Sequence, residues 1–195
     1  MLKRAIVAFG FFCSAPGLGA QQPDSASVHG PHYVRDFSLG VATSILLHEM
    51  GHIGTSIAEG AHPTFGFDTF RPTVFSGISA RREPRKQFWF SSAGLNVQTV
   101  LDEAILDIPH ARGSAFERGI LGGGIGTTVF YLTIGRWGSV SDVDFMARTH
   151  VMTKTEVTLL YGSIAALQTW RISRNPAYAH FFAAPTGHGF VVGWR

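Results

Sequence analysis

Charge is scarce in this chain. Only 15% of its 195 residues are Asp, Glu, Lys or Arg, and 45% are hydrophobic, where soluble domains carry roughly 25% charged residues. The formal net charge is +3. The basic residues are scattered, apart from one cluster of Arg81, Arg82, Arg85 and Lys86, so a nucleic-acid partner is not indicated. Cysteine is nearly absent as well. Cys13 is the only one, and a mature chain cut behind it forms no disulfide and no thiolate metal site. The mean hydropathy of +0.15 is high for a soluble protein and modest for a membrane protein.

Residues 1–20 have the build of a signal peptide. Lys3 and Arg4 form a short positive region, "AIVAFGFF" is an apolar core of suitable length, and "SAPGLGA" supplies small residues with a cut after Ala20. Phe12 precedes Cys13, and a lipidation site wants a small residue there. A polar linker follows over residues 21–36, then a domain over 37–175 and an aromatic, glycine-rich tail over 176–195 that suits a short strand pair.

Four apolar stretches organise the domain: 37–58, 88–106, 119–135 and 157–170. The first is long enough to cross a bilayer as a helix, and the third carries no charge. Glycines at 119, 122, 123 and 126 give the third stretch two G-x-x-x-G spacings, which let helices approach closely in lipid. The expectation is a mainly α fold: a polytopic membrane bundle of about four apolar helices. Between the first two stretches, Phe65, Phe67 and Thr69 alternate with Gly66, Asp68 and Phe70, which predicts a small β-hairpin after the first helix. The basic cluster that ends this loop places it on the cytoplasmic side under the positive-inside rule. A cleaved signal leaves the N-terminus exported, and the two cues together suggest a bacterial-type inner-membrane protein whose first partner is the lipid bilayer. Trp89, Trp137 and Trp170 suit an interfacial belt.

The chemistry lies in "ILLHEMGHIG", residues 45–54. His48 and His52 are four apart, hence on one helix face one turn apart, where two imidazoles can bind one metal ion. Glu49 need not bind the metal and can instead take a proton from a water held there. This is the H-E-x-x-H arrangement of two zinc ligands and a general base. Zinc lowers the pKa of water and polarises the carbonyl under attack. The remaining histidines are isolated, apart from the pair His29 and His32 in the linker.

"HEMGH" in a hydrophobic helix, then a hairpin-like segment, then "SSAGLNVQ" opening a second apolar stretch, resembles the site-2 protease family of intramembrane zinc metalloproteases over roughly residues 38–160. The resemblance implies peptide-bond hydrolysis in or near the membrane, with zinc held by His48, His52 and an Asp on a further helix, and Glu49 as the base. The family's usual third-ligand motif, an Asp followed by glycine after an N-x-x-P-type run, is absent. In its place stands "GSVSDVDFMARTH", and likeness to divergent members points to Asp142 as the third ligand. Ser141 and Asp142 also suit the cap of a helix starting near Val143. Asp144 is the fallback ligand, and Glu103, beside Asp102 on the second stretch, competes as a carboxylate some 50 residues beyond His52. Asn96 and Gln98 lie near the place of the family's substrate-holding Asn, and also suit amides that bond between helices.

Three readings stand at this point. The leading one is a membrane-embedded zinc endopeptidase acting on a protein or peptide substrate. The second keeps the metal site in a membrane protein without hydrolysis. The third is an exported soluble metallopeptidase whose apolar stretches pack on one another.

Overall fold

The computed structural model describes residues 32–68, 71–135, 141–178, 181–186 and 189–194. The expected signal peptide with Cys13, the linker up to Pro31 with His29, and Trp137, His180 and His188 lie outside the described residues. The chain order is α1 (Tyr33–Ala58), β1 (Thr64–Asp68), β2 (Arg71–Phe75), α2 (Pro84–Asp107), α3 (Ala115–Leu132), α4 (Asp142–Arg148), α5 (Lys154–Arg174), β3 (Phe181–Thr186) and β4 (Gly189–Trp194). Both strand pairs are antiparallel hairpins, the first where the alternation of residues 65–70 expects one and the second in the tail.

Local chemistry sets the helix starts. Pro84 opens α2 at a position that needs no backbone N–H. Ser114 with Glu117 and Thr153 with Glu156 form capping boxes on α3 and α5, each satisfying two otherwise orphaned donors. Ser141 caps α4.

Among the described residues, no helix is long and apolar enough to cross a membrane. This corrects the expected polytopic membrane bundle to a mainly helical fold with two small hairpins. The physical reason differs for each helix. The first stretch is long, but α1 also carries Arg35, Asp36, His48, Glu49, His52 and several Ser, Thr and Gly residues. α2 holds Arg85, Lys86, Asp102, Glu103 and Asp107, and α5 holds Lys154, Glu156, Arg171 and Arg174. The third stretch lies in an 18-residue helix that begins at Ala115 and takes in Glu117 and Arg118, a length of about 27 Å at 1.5 Å per residue, short of the ~30 Å hydrocarbon core.

α1 buries a stripe of small and polar residues: Gly40, Ser44, His48, His52 and Ser56, each four after the last. Larger apolar residues, among them Leu39, Leu46, Met50 and Ile57, face outward. The stripe packs on α3, where Gly40 and Gly119 bring the two backbones together. A Cβ on either would collide with a carbonyl of the opposite helix. α2 presents a matching buried line, Gln87, Ser91, Gln98 and Asp102. Apolar packing gathers in two clusters beside this seam. One joins Leu95, Tyr131, Leu132, Val143, Met146, Val157 and Tyr161. The other joins Ile105, Leu106, Ile120, Leu121, Ile172 and Tyr178. The first cluster fixes α4 against α2 and α5, which decides where Asp142 points.

Candidate metal centre

The buried stripe of α1 meets the N-terminus of α4 at His48, His52 and Asp142. His48 Nε2 lies 3.0 Å from Asp142 Oδ2, His52 Nε2 lies 3.4 Å from the same oxygen, and the two Nε2 atoms are 3.1 Å apart. All three residues are buried, and together they form a group that can hold a metal ion. Two ligand nitrogens each about 2.0–2.1 Å from a tetrahedral zinc lie about 3.3 Å apart, so the observed spacings suit a shared ion without rearrangement of the helices.

The far side of each ring is anchored. His52 Nδ1 donates to the Phe90 carbonyl at 2.7 Å, and His48 Nδ1 lies 3.0 Å from Gln98 Oε1. Such outer bonds fix the ring orientation, so that with a metal bound each Nε2 lone pair would point toward it. Gly94 makes room for the His48 ring, because a Cβ at this position would overlap it. Tyr131 stacks on the other side of His48, with ring centroids 5.6 Å apart and planes 9° apart.

The electrostatics follow from burial against pairing. Burial alone pulls the His52 pKa down, but the Asp142 charge and hydrogen bond, the Phe90 carbonyl and the Glu49 charge outweigh it and raise it to about 9. Burial pushes Asp142 up, and the His52 charge with hydrogen bonds from both histidines holds it well below the usual carboxylate range. Without metal, this balance favours a proton on His52 shared with Asp142.

The cluster opens into a cavity of about 290 Å³ whose walls include Glu49, His52, Asp142, Phe90, Tyr131 and Phe145, together with the segment from Thr73 to Ile78 that closes the first hairpin. Ser56 Oγ bonds the Ser76 carbonyl, Ser76 Oγ bonds Gln87, and Gln87 bonds Ser91, so this wall is tied to both α1 and α2. Glu49 is half-buried and lies one residue beyond His48 on the same cavity.

The other carboxylates go elsewhere. Asp144 pairs with Arg148 and Lys154. Glu103 pairs with Arg171 and accepts from Gln168 on α5. Asp102 is buried against Gly124 of α3. Ser141 caps α4 while Asp142 faces the histidines. Asn96 accepts from Tyr161 at 2.7 Å and is bonded between α2 and α5, lining a different surface hollow with Trp89 and Thr55. Gln98 bonds between helices and also touches the site. Trp89 and Trp170 are about half exposed. The sequence reading missed the cavity wall of Tyr131, Phe145 and the β2 end. No protein-family model, no curated protein and no solved structure matches this chain.

Proposed function

We propose that this chain is a zinc-dependent peptidase in which His48, His52 and Asp142 hold the metal and Glu49 is the general base. The observation that carries this reading is the placement of Glu49 on the wall of the same cavity into which the two imidazoles and the Asp142 carboxylate converge. Two imidazoles and one carboxylate, with no thiol, suit zinc of the hydrolytic type. The same donors arranged on one face also suit ferrous iron. A carboxylate beside the ligands, not spent as a ligand, favours hydrolysis, since hydrolysis needs a base for the attacking water and oxygen chemistry does not.

Zinc, when bound, supplies a Lewis acid that polarises a carbonyl and eases loss of a water proton. Glu49 takes that proton and returns it to the departing amine. The Phe90 carbonyl and Gln98 hold the ligand rings in place, and the hairpin segment from Thr73 to Ile78 forms the wall along which an extended peptide would lie.

Elemental analysis of the purified chain, with cleavage of an unstructured protein substrate by wild type and Glu49→Gln, tests the proposal. One zinc per chain in both proteins, with cleavage in wild type and at least a hundredfold loss in the variant, supports it. Iron in place of zinc, or equal cleavage by both proteins, rejects it.

A further inference from the structure

Gln98 sits on α2 and is 1% exposed. Its amide nitrogen lies 3.3 Å from the Ser44 carbonyl, 3.0 Å from Ser44 Oγ and 3.3 Å from Thr127 Oγ1. A carbonyl only accepts, so the NH2 end of this amide must face Ser44. That leaves Gln98 Oε1 facing His48 Nδ1 at 3.0 Å. Oε1 also only accepts, so Nδ1 must carry a proton, which leaves Nε2 as the nitrogen that faces Asp142 at 3.0 Å and would ligate a metal on giving up any proton it shares with that carboxylate. The Ser44 carbonyl and Gln98 Oε1, which can only accept, fix these assignments, and the two hydroxyls adapt to them.

We propose that Gln98 is a positioning residue that sets the His48 tautomer and ring plane for metal binding, and that it does so only because α1 and α3 hold its amide end. The inference rests on the metal reading above. The two histidines differ here. His52 is locked by a backbone carbonyl, which no side-chain change removes. His48 is locked by a side chain that reaches across three helices, with Ser44 on α1 and Thr127 on α3. Ser44 keeps its place because Gly123 has no side chain: a Cβ there would stand 2.8 Å from Ser44 Cβ. The packing of α3 on α1 is therefore transmitted to one ligand of the site and not to the other.

The test compares zinc affinity of the purified full-length chain, measured by competition with a chromophoric chelator, for wild type, Gln98→Met, Gln98→Glu and Gln98→Asn. Met keeps the volume and removes the acceptor, and Asn keeps the amide but falls one methylene short. Both should bind zinc tenfold to a hundredfold more weakly, the usual effect of losing an outer partner of a ligand histidine. Glu, kept neutral by burial, retains an acceptor toward Nδ1 and an O–H donor toward Ser44, so its affinity should return to within a few-fold of wild type. The visible spectrum of the cobalt-loaded Glu variant should match that of wild type. A residue that merely fills space would show the reverse order, with Met tolerated and a buried Glu disruptive. Wild-type affinity in the Met and Asn variants, or no rescue by Glu in a folded chain, overturns the inference. Failure of the wild type itself to bind zinc overturns the metal reading instead, and is told apart by that result alone.

Discussion

Gly94 of α2 lies directly against the imidazole of His48 on α1, so close that any Cβ would overlap the ring. Both helices run through this point: Gly51, one residue before His52, also approaches α2, where a Cβ would stand 2.9 Å from the Ala93 carbonyl. Gly94 therefore leaves the space that the His48 ring occupies. Gly94→Ala should push the ring off its bond to Gln98 and away from Asp142. Zinc affinity should fall by at least tenfold, on the order of 1.4 kcal/mol or more, while the circular dichroism of the helices is retained. Affinity equal to wild type would mean that the ring can move without cost to binding.

Asp142 and Asp144 stand two residues apart on α4 and point about 200° apart around the helix. One faces the histidines and the other faces Arg148 and Lys154. Asp142→Ala should therefore lose most zinc binding, whereas Asp144→Ala and Glu103→Ala should keep it within a few-fold. Asp144→Ala removes only half-exposed ion pairs, worth about 1 kcal/mol or less of stability. Chelator competition on the three variants checks the order, and the reverse order would remove Asp142 from the site.

Those two relationships mark the boundary of what the sequence could tell. The spacing of His48 and His52 is local, and helical periodicity alone puts them on one face. The first hairpin is local too, since alternation over residues 65–70 is enough to expect it. Which of two carboxylates near residue 142 faces the histidines depends on how α4 docks, and that is set by Val143 and Met146 inserting between α2 and α5. The membrane expectation failed because the helices reach past the apolar stretches into charged residues: α1 takes in Arg35 and Asp36, α2 takes in Arg85 and Lys86, and the first turn of α3 holds Glu117. The glycines of α3 show a further limit of pattern reading. Gly119 and Gly123 meet α1, but nothing lies within 4 Å of a Cβ at Gly126, so only part of the regular spacing is used for packing.

The proton on His52 gives a pH prediction of definite sign. Its folded pKa of about 9 lies above the ordinary 6.5, so the metal-free fold gains stability from this proton below pH 6.5 and loses the gain as pH rises toward 9. Zinc must displace that proton. Its apparent affinity should therefore rise by about tenfold per pH unit up to about pH 9, with one proton released per ion bound at neutral pH. Calorimetry in two buffers of different ionisation enthalpy measures the release directly. No release at pH 7 would show that the metal-free cluster is already neutral at His52.

Asp102 sets the last prediction. Its carboxyl is buried, Oδ1 has no hydrogen-bond partner, and α3 passes so closely that a side chain at Gly124 would strike it. Burial, with a smaller contribution from the Glu103 charge, raises its pKa from 3.8 to about 8. At neutral pH this shift favours a proton on the folded carboxyl that the unfolded chain has given up. Between about pH 4 and pH 8 the unfolded state binds fewer protons than the folded one, so this residue makes stability fall with rising pH, by about 1.4 kcal/mol per unit at most. Asp102→Asn cannot ionise and should remove that slope. The variant should match wild type near pH 4 and exceed it increasingly toward pH 8, and zinc affinity should be unchanged because Asp102 does not reach the metal ligands. Denaturant unfolding of the metal-free protein at pH 5, 6, 7 and 8 reads the difference. Parallel pH curves for the two proteins would mean that the carboxyl is already ionised in the fold and has found a partner.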